Sequence, residues 1–431
     1  MTGQPDFDVI VVGAGLAGAV AAHQLAQAGL NVALLERGSQ AGSKNLSGGV
    51  LQCQGLKTVF PDFLDQAPVE RVIDRQQLCF LNQSSHVTLD YADQRLRQAG
   101  SAVTVRRARL DPWLAERAEA AGAIVMTGIR VDALLRQDGQ IAGVTAGADE
   151  LRSRVVVLAD GANSFLSRLA GLRRAPARHQ QAVGVKATFK LPAETIEERC
   201  QIDPAGGLAL TMVGDCTQGV AGGGFLYTNR DSLSVGLVLN LGELVRRGGD
   251  SSLLFERLLA HPLISRLLRD SQLLEYGCHL VNEGGLAMVG RTVFDGLVLV
   301  GDAAGLTINT GLTIRGMDLA VSSALAAAAG VTRAIAADDT SAAGLKECRD
   351  AFDRSAAGQD LRLFAQAPAF LANERLYGPY GELLADLMFG LHHLDLSPRR
   401  HLLAQARRSL RRSPLSLGRL LLDGLKGARA L

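Results

Sequence analysis

The chain has 431 residues, 47% of them hydrophobic and 48 of them glycine, which suits two domains plus an appendage with many tight turns. A net charge of +2 gives no overall basic footprint, so nucleic acid is not an expected partner. No apolar run reaches the roughly 18 residues of a spanning helix, and the nearest stretch, VSSALAAAAGVTRAIAA at 321–337, carries Arg333 and reads as a packed helix.

The N-terminus MTGQPDFDVIVV runs almost at once into a strand, which leaves no room for a signal peptide and gives a cytoplasmic expectation. Residues 7–12 are an apolar run of the kind a buried parallel strand needs. Gly13, Gly15 and Gly18 follow as GxGxxG, with Ala17 among them, and a helix then leads to a second strand at 31–35 that delivers Glu36. Gly13 permits the turn, Gly15 lets backbone approach a pyrophosphate, and Gly18 lets the helix pack close to the strand. Free N–H groups at the helix start suit phosphates. Glu36 suits a ribose diol, and its charge disfavours a 2′-phosphate.

Further along, GSKNLSGGV at 42–50 sets a lysine and an asparagine among small residues. DALLRQDGQIAGVTA predicts a hairpin turning at Asp138-Gly139. A strand at 155–159 runs into Asp160-Gly161, and another at 297–300 runs into Gly301-Asp302, followed by a glycine turn at Gly311–Leu312 and a long helix. Three such features in this order point to FAD rather than NAD. A carboxylate at the second strand end can hold the ribityl chain. The helix after Gly311 is expected to aim its N-terminus at the flavin pyrimidine, where negative charge collects on reduction. Between these segments, AVGVKATFKL, LALTMVG, GGGFLYTN and SLSVGLVLNL read as short strands of an antiparallel roof over a flavin ring.

The expected fold is therefore an α/β two-domain FAD-binding fold, with a GxGxxG βαβ domain, a mixed-sheet substrate domain and a helical C-terminal region. Residues 1–75, 101–175 and 285–340 are expected to form a discontinuous FAD-binding domain. Residues 76–100 and 176–284 are expected to form the antiparallel-sheet roof, and 341–431 the helical region with its tail. That tail, 399–431, holds nine of the Lys and Arg residues but only one acid, Asp423. Its leucines are spaced for an amphipathic helix before Pro414 and a second short one after it. Such a tail suits peripheral contact with a membrane or docking on an acidic partner.

Four stretches, AGSKNLSGG (41–49), VRRARLDPWL (105–114), GGGFLYTN (222–229) and LTIRGMDLA (312–320), resemble FixC-type flavoproteins. More distantly the chain is similar to electron transfer flavoprotein–quinone oxidoreductases, within a wider group of geranylgeranyl reductases and aromatic hydroxylases. The likeness runs over essentially the whole chain, including APAFL at 367–371. It implies a flavoprotein that exchanges electrons with the electron transfer flavoprotein subunits and with a quinone or a ferredoxin-like protein. It also implies that Gly13, Gly15, Gly18, Glu36, Arg37, Lys44, Asn45, Arg107, Asp160, Gly161, Asp302 and the Gly311–Leu312 turn hold FAD. The resemblance prefers Arg107, which stands four residues before Asp111 as in the family's R-x-x-x-D arrangement, with Arg106 as competitor. Ala17, Val131 and Gly301 complete the candidate contacts, and Gly48 and Gly49 would clear space beside the ring.

The resemblance is to the shorter pattern. The long type carries a cysteine-rich cluster segment near its C-terminus, whereas the last cysteine here is Cys348 and no CxxC pair occurs. A separate ferredoxin-like partner is expected instead, and no metal site. Flavin carries the chemistry, so no catalytic acid–base pair is assigned. Lys44 is weighed as a cation near the flavin N1 edge, and Arg315 as one half of an ion pair with Asp318, one turn into the helix. Gly222–Gly224 would either leave room over the ring or mark a bulge, with Phe225 and Tyr227 on opposite faces of their strand. A flavin monooxygenase and a prenyl-lipid reductase are the alternative functions.

Overall fold

A computed structural model describes residues 5–43 and 48–431. The first half supplies β1 (Phe7–Val12), β2 (Val32–Glu36), β3 (Gly49–Gln52), β4 (Val69–Leu81), β5 (His86–Ala92), β6 (Ala102–Val105), β7 (Ile124–Thr127), β8 (Ala133–Gln137), β9 (Gln140–Ala146) and β10 (Asp149–Leu158). Then come β11 (Gln181–Lys190), β12 (Gly206–Gly214), β13 (Gly222–Thr228), β14 (Ser232–Asn240) and β15 (Gln272–Asn282). Four short strands complete the set: β16 (Val293–Phe294), β17 (Leu297–Leu299), β18 (Ile308–Asn309) and β19 (Ile314–Arg315).

The first sheet runs β16-β17-β10-β1-β2-β7, with β8 and β9 attached to β10. β1 lies parallel to both β2 and β10. Its strands are apolar on both faces because both faces are covered. Val9, Val11, Val155 and Val157 pack toward the helices Leu16–Gln27, Arg107–Ala120 and Met317–Ala336. Ile10, Val12, Val156 and Leu158 point the other way, into a core completed by Ile141, Val144, Phe352 and Leu361. The hairpin at Asp138-Gly139 forms as expected, with φ of 51° and 86° in the left-handed region that this tight turn requires. The helix Met317–Ala336 is long and apolar enough to cross a membrane by length and composition, but two-thirds of it is buried inside the protein. It packs along Leu16–Gln27 as a core helix.

The second sheet runs β15-β11-β14-β13-β12-β4-β6-β3, with β5 on β4. It is antiparallel except where β12 runs parallel to β4, so it is the mixed sheet expected of the substrate domain, and the expected antiparallel roof holds for every other pairing. Residues 49–52, 69–75 and 102–105, read from sequence as part of the first domain, hydrogen-bond into this second sheet. Their sequences carry no sign of which sheet would pair them, because the partner strand β12 lies far along the chain. One face of the sheet buries Val185, Leu210, Leu226, Val235 and Leu237 beneath short helices such as Ser251–Ala260. The strand period of two turns the intervening residues to the other face. Register places Phe225, Gly236 and Lys186 in one cross-strand row there, and Tyr227, Ser234 and Thr188 in the next.

The C-terminal helices Leu402–Arg412 and Leu417–Ala430 form on either side of Pro414. Their burial runs against their composition. Gln405, Ser409 and Asp423 are buried, whereas Leu402, Leu403, Leu417, Leu421, Leu422 and Leu425 are all exposed. Asp423 is held inside by Arg375 at 2.7 and 2.8 Å, by Asn373 at 3.1 Å and by the Tyr380 hydroxyl.

Arg71 fastens the second sheet where β4 passes an irregular register. Its buried guanidinium donates to the carbonyls of Asn229, Pro204, Gly206 and Arg230 and to Glu197 at 2.9 Å. Replacing Arg71 with Met removes these donors from a dry site and is expected to cost about 3 kcal/mol or more. The loss is read as a lower urea midpoint with an unchanged m-value.

Candidate functional site

The glycine loop leaves β1 through Gly13, whose N–H donates to Leu35 at 2.7 Å and whose φ is +100°. A Cβ there would lie 2.5 Å from the Ala159 carbonyl, and one at Gly18 would overlap the Gly13 carbonyl. The fingerprint is thus a close approach of helix, β1 and β10 that only glycine permits. Gly15 caps the helix Leu16–Gln27 without a side-chain hydrogen bond, so the first N–H groups face outward for an anion. Glu36 ends β2 and accepts N–H groups from Ala14 at 3.0 Å and Gly38 at 2.7 Å. Arg37 beside it is exposed, and Val131 packs partly buried near the same end of the sheet. Ala17 is buried, its Cβ 3.0 Å from where one on Gly301 would stand.

Arg107 is the hub of the site. It opens the helix Arg107–Ala120 and holds the fully buried Asp111 through contacts of 2.6 and 2.7 Å. Its Nη2 lies 3.3 Å from a Cβ placed on Gly15. Burial is the largest influence and opposes its charge, but Asp111 and Asp302 together outweigh it, so the guanidinium binds its proton more tightly than usual. Arg106 turns instead toward Glu275, 3.5 Å away. Asp302 follows Gly301, whose N–H donates to Ser323 at 2.9 Å. Its side chain is accessible although protein surrounds it on all sides, which sets it on the wall of an internal cleft. Burial raises its pKa against the pull of Arg107 and His279.

Asp160 and Gly161 stand at the end of β10. Asp160 Oδ1 is buried with no partner, and burial lifts the carboxyl to a pKa of about 6. Open space adjoins Gly161, at φ +81°. The turn beyond Asp302 is tied by the Gly311 N–H, which donates to Asn309 Oδ1 at 2.8 Å. Leu312 is exposed beside it. The long helix begins at Met317 rather than directly after Gly311, because β18 and β19 pair across the turn first. Arg315 lies in β19, not in the helix, and bridges Asp318 and Asp360, each at 2.6 Å.

Lys44 and Asn45 lie outside the described residues. Gly48 and Gly49, which flank them, are described: the Gly48 carbonyl accepts from Lys186 Nζ at 2.5 Å, and Met317 Cε stands 3.2 Å from a Cβ on Gly49. Lys186 is a functional candidate that the sequence reading missed. It is nearly inaccessible on the inner face of the roof, and burial lowers its pKa to about 7, with Glu275 opposing and Arg106 and Arg107 adding. The available signal was a lysine at an alternate position of an apolar strand. Phe225 and Tyr227 share one face, not opposite faces, since residues two apart in a strand point the same way. Their rings stack with centroids 4.8 Å apart. Gly222–Gly224 pair in regular register, and Gly222 and Gly223 admit neighbouring carbonyls rather than opening a bulge.

These elements bring the candidate residues of the glycine loop, Arg107 and Asp302 together, with the uncapped helix N–H groups beside them and a buried, unpartnered carboxylate oxygen on Asp160 at the end of β10. That donor set fits a dinucleotide whose pyrophosphate meets the N–H groups and whose hydroxyls meet carboxylates. A family model described as "FAD binding domain" matches residues 6–211. The chain is 44% identical over 430 residues, 99% of both chains, to the probable electron transfer flavoprotein-quinone oxidoreductase YdiS of Escherichia coli (strain K12). It is 41% identical over 428 residues, again 99% of both, to the protein FixC of Salmonella typhi. In fold it matches a geranylgeranyl bacteriochlorophyll reductase-like protein from Thermoplasma acidophilum, with a TM-score of 0.70 at 20% identity over 98% and 100% of the chains. It also matches the halogenase PltM in complex with phloroglucinol and FAD, with a TM-score of 0.62 at 15% identity over 98% and 85% of the chains.

The protein is an FAD-dependent oxidoreductase. Within that class, the chain belongs to the family of FixC and the electron transfer flavoprotein–quinone oxidoreductases. FAD supplies the two-electron chemistry when bound, and the chain supplies position, charge and exclusion of water.

Lys186 has a direct consequence for stability. Its folded pKa of about 7 lies below the ordinary 10.5, so between these values the unfolded chain binds the extra proton and stability rises with pH. Lys186→Met is expected to flatten this rise, measured as denaturation midpoints of the FAD-free protein across that window.

Proposed function

We propose that the protein passes electrons between an electron transfer flavoprotein and a quinone, with a small ferredoxin-like protein as a further electron partner. The observation that carries this reading is the end-to-end match, 99% of both chains, to a relative named a probable electron transfer flavoprotein-quinone oxidoreductase. The cleft agrees with it: its charged groups are placed to bind and bias a flavin, and the chemistry then needs little from the protein beyond a path.

The C-terminal helices favour an acceptor that lives in lipid. Polar side chains turned inward and leucines turned outward suit an apolar medium rather than water. Arg407, Arg408, Arg411, Arg412, Arg419 and Lys426 lie along the same two helices. Each would add about 1 kcal/mol of attraction near an anionic leaflet. We therefore infer peripheral attachment through 399–431 on the cytoplasmic side, with the body in the cytoplasm.

Stopped-flow mixing of the oxidised protein with reduced electron transfer flavoprotein is expected to bleach the flavin quickly, and a quinone analogue to restore it. Rapid reduction by NADPH coupled to substrate-dependent oxygen use would instead establish a monooxygenase and sink this reading. The double variant Leu421→Asp/Leu425→Asp is expected to retain its FAD but to lose most sedimentation with anionic liposomes. Unchanged sedimentation removes the membrane contact.

A further inference from the structure

Glu283 has no part in holding the cofactor as described above, yet it stands where the roof meets the cleft. It follows β15 directly, and its backbone N–H donates to Gln180 at 2.8 Å. Its carboxyl accepts from Asn309 Nδ2 at 3.1 Å, and Asn309 Oδ1 accepts the Gly311 N–H at 2.8 Å. A backbone N–H can only donate, so the amide of Asn309 must present its oxygen to Gly311 and its NH2 to Glu283. The carboxyl is thereby linked, in two hydrogen bonds, to the 309–312 turn. Among the described residues it forms no ion pair, and the amide of Asn309 is what favours its charge.

We propose that Glu283 is the proton-holding carboxyl of the flavin cleft, taking up a proton as the bound flavin is reduced and releasing it on reoxidation. Reduction brings negative charge to the pyrimidine edge of a flavin, and a like charge nearby makes a carboxylate bind its proton more strongly. Two electrons and one proton enter the flavin, and one further proton from solvent forms an O–H bond on the Glu283 carboxylate. When the electron pair leaves, that O–H bond breaks and the proton returns to solvent or to the reduced acceptor. The proposal rests on bound FAD alone and not on which donor or acceptor the protein uses.

The environment suits such a group. Burial raises the carboxyl to a pKa of about 7, with Asn309 opposing, so a modest change in local charge shifts its occupancy near neutrality. Tyr377, in the turn Glu374–Tyr377, is pushed up mainly by burial and also by the charges of Glu283 and Glu243. Across the cleft wall, Asp302 feels Arg107 and His279, and its backbone carbonyl accepts from Asn282, the neighbour of Glu283.

The experiment is a potentiometric titration of the FAD-loaded protein over roughly pH 6 to 9, comparing wild type with Glu283→Gln. Gln keeps a carbonyl for Asn309 but cannot titrate. Each proton taken up with an electron pair changes the equilibrium tenfold per pH unit, or about 30 mV. Wild type is expected to fall by two such steps per unit above neutrality, and Glu283→Gln by one. Equal slopes in the two proteins overturn the proposal. Should Glu283→Gln lose FAD, the reduced-minus-oxidised infrared spectrum of wild type decides. A gain in protonated-carboxyl absorption that shifts in Asn309→Leu supports Glu283. No gain, or a gain that Asn309→Leu leaves in place, overturns it.

Discussion

The ion pair between Arg107 and the fully buried Asp111 is made one turn into a helix, and segments from across the chain close around it. Gly42, at φ +77°, lacks the side chain that would strike the Arg107 carbonyl and the Asp111 Cβ, so the 40–43 turn seats directly on the pair. The guanidinium then reaches Gly15 of the phosphate loop and acts on Asp302. Removing two charges from water is costly, and such a pair is poor evidence for stability in itself. Its value here is geometric. It fixes a cation at the junction of the glycine loop, the strand end at Asp302 and the 40–43 turn.

Around that junction the charges come from different layers. Arg106 and Arg107 come from the start of a helix, and Lys186 and Glu275 from the roof. Asp160 and Asp302 come from strand ends of the first sheet. Burial displaces Lys186 and both carboxyls toward their neutral forms. A cleft whose charges are lightly held in this way responds to charge brought by a ligand, because each group can gain or lose a proton cheaply as its neighbours change. Both sheets contribute such groups, Lys186 from the roof and Asp160 and Asp302 from the first sheet, which also supplies the close backbone contacts of the glycine loop.

Legibility in the sequence followed the locality of the physics. The βαβ unit, the Asp138-Gly139 hairpin and the strand ends at Asp160 and Asp302 are set by residues close together in the chain, and all were visible. The choice of Arg107 over Arg106 rests on the resemblance, through the family's R-x-x-x-D arrangement ending at Asp111, and the structure places Arg107 at the glycine loop. What escaped depended on partners far away. β4 joins the second sheet through its pairing with β12 across more than a hundred residues, and carries β6 and β3 with it, which no local pattern encodes. Lys186 meets Gly48 from 138 residues away, and Glu283 is defined by an asparagine in a different strand. The start of the long helix at Met317 was misjudged because the small β18–β19 ladder consumed the intervening residues. The face shared by Phe225 and Tyr227 was readable from the strand period and was misassigned.

The six cysteines are all free, and five of them are buried. Burial pushes Cys200 up to about 11 and Cys216 and Cys348 up to about 12, and it raises Cys53 and Cys79 as well. Thiols held so firmly protonated are poor nucleophiles and poor targets for peroxide. A reduced flavin that meets oxygen produces such oxidants at its own doorstep. The five buried thiols are therefore chemically quiet toward them, and only Cys278, exposed on β15 beside His279, is within reach of a thiol reagent.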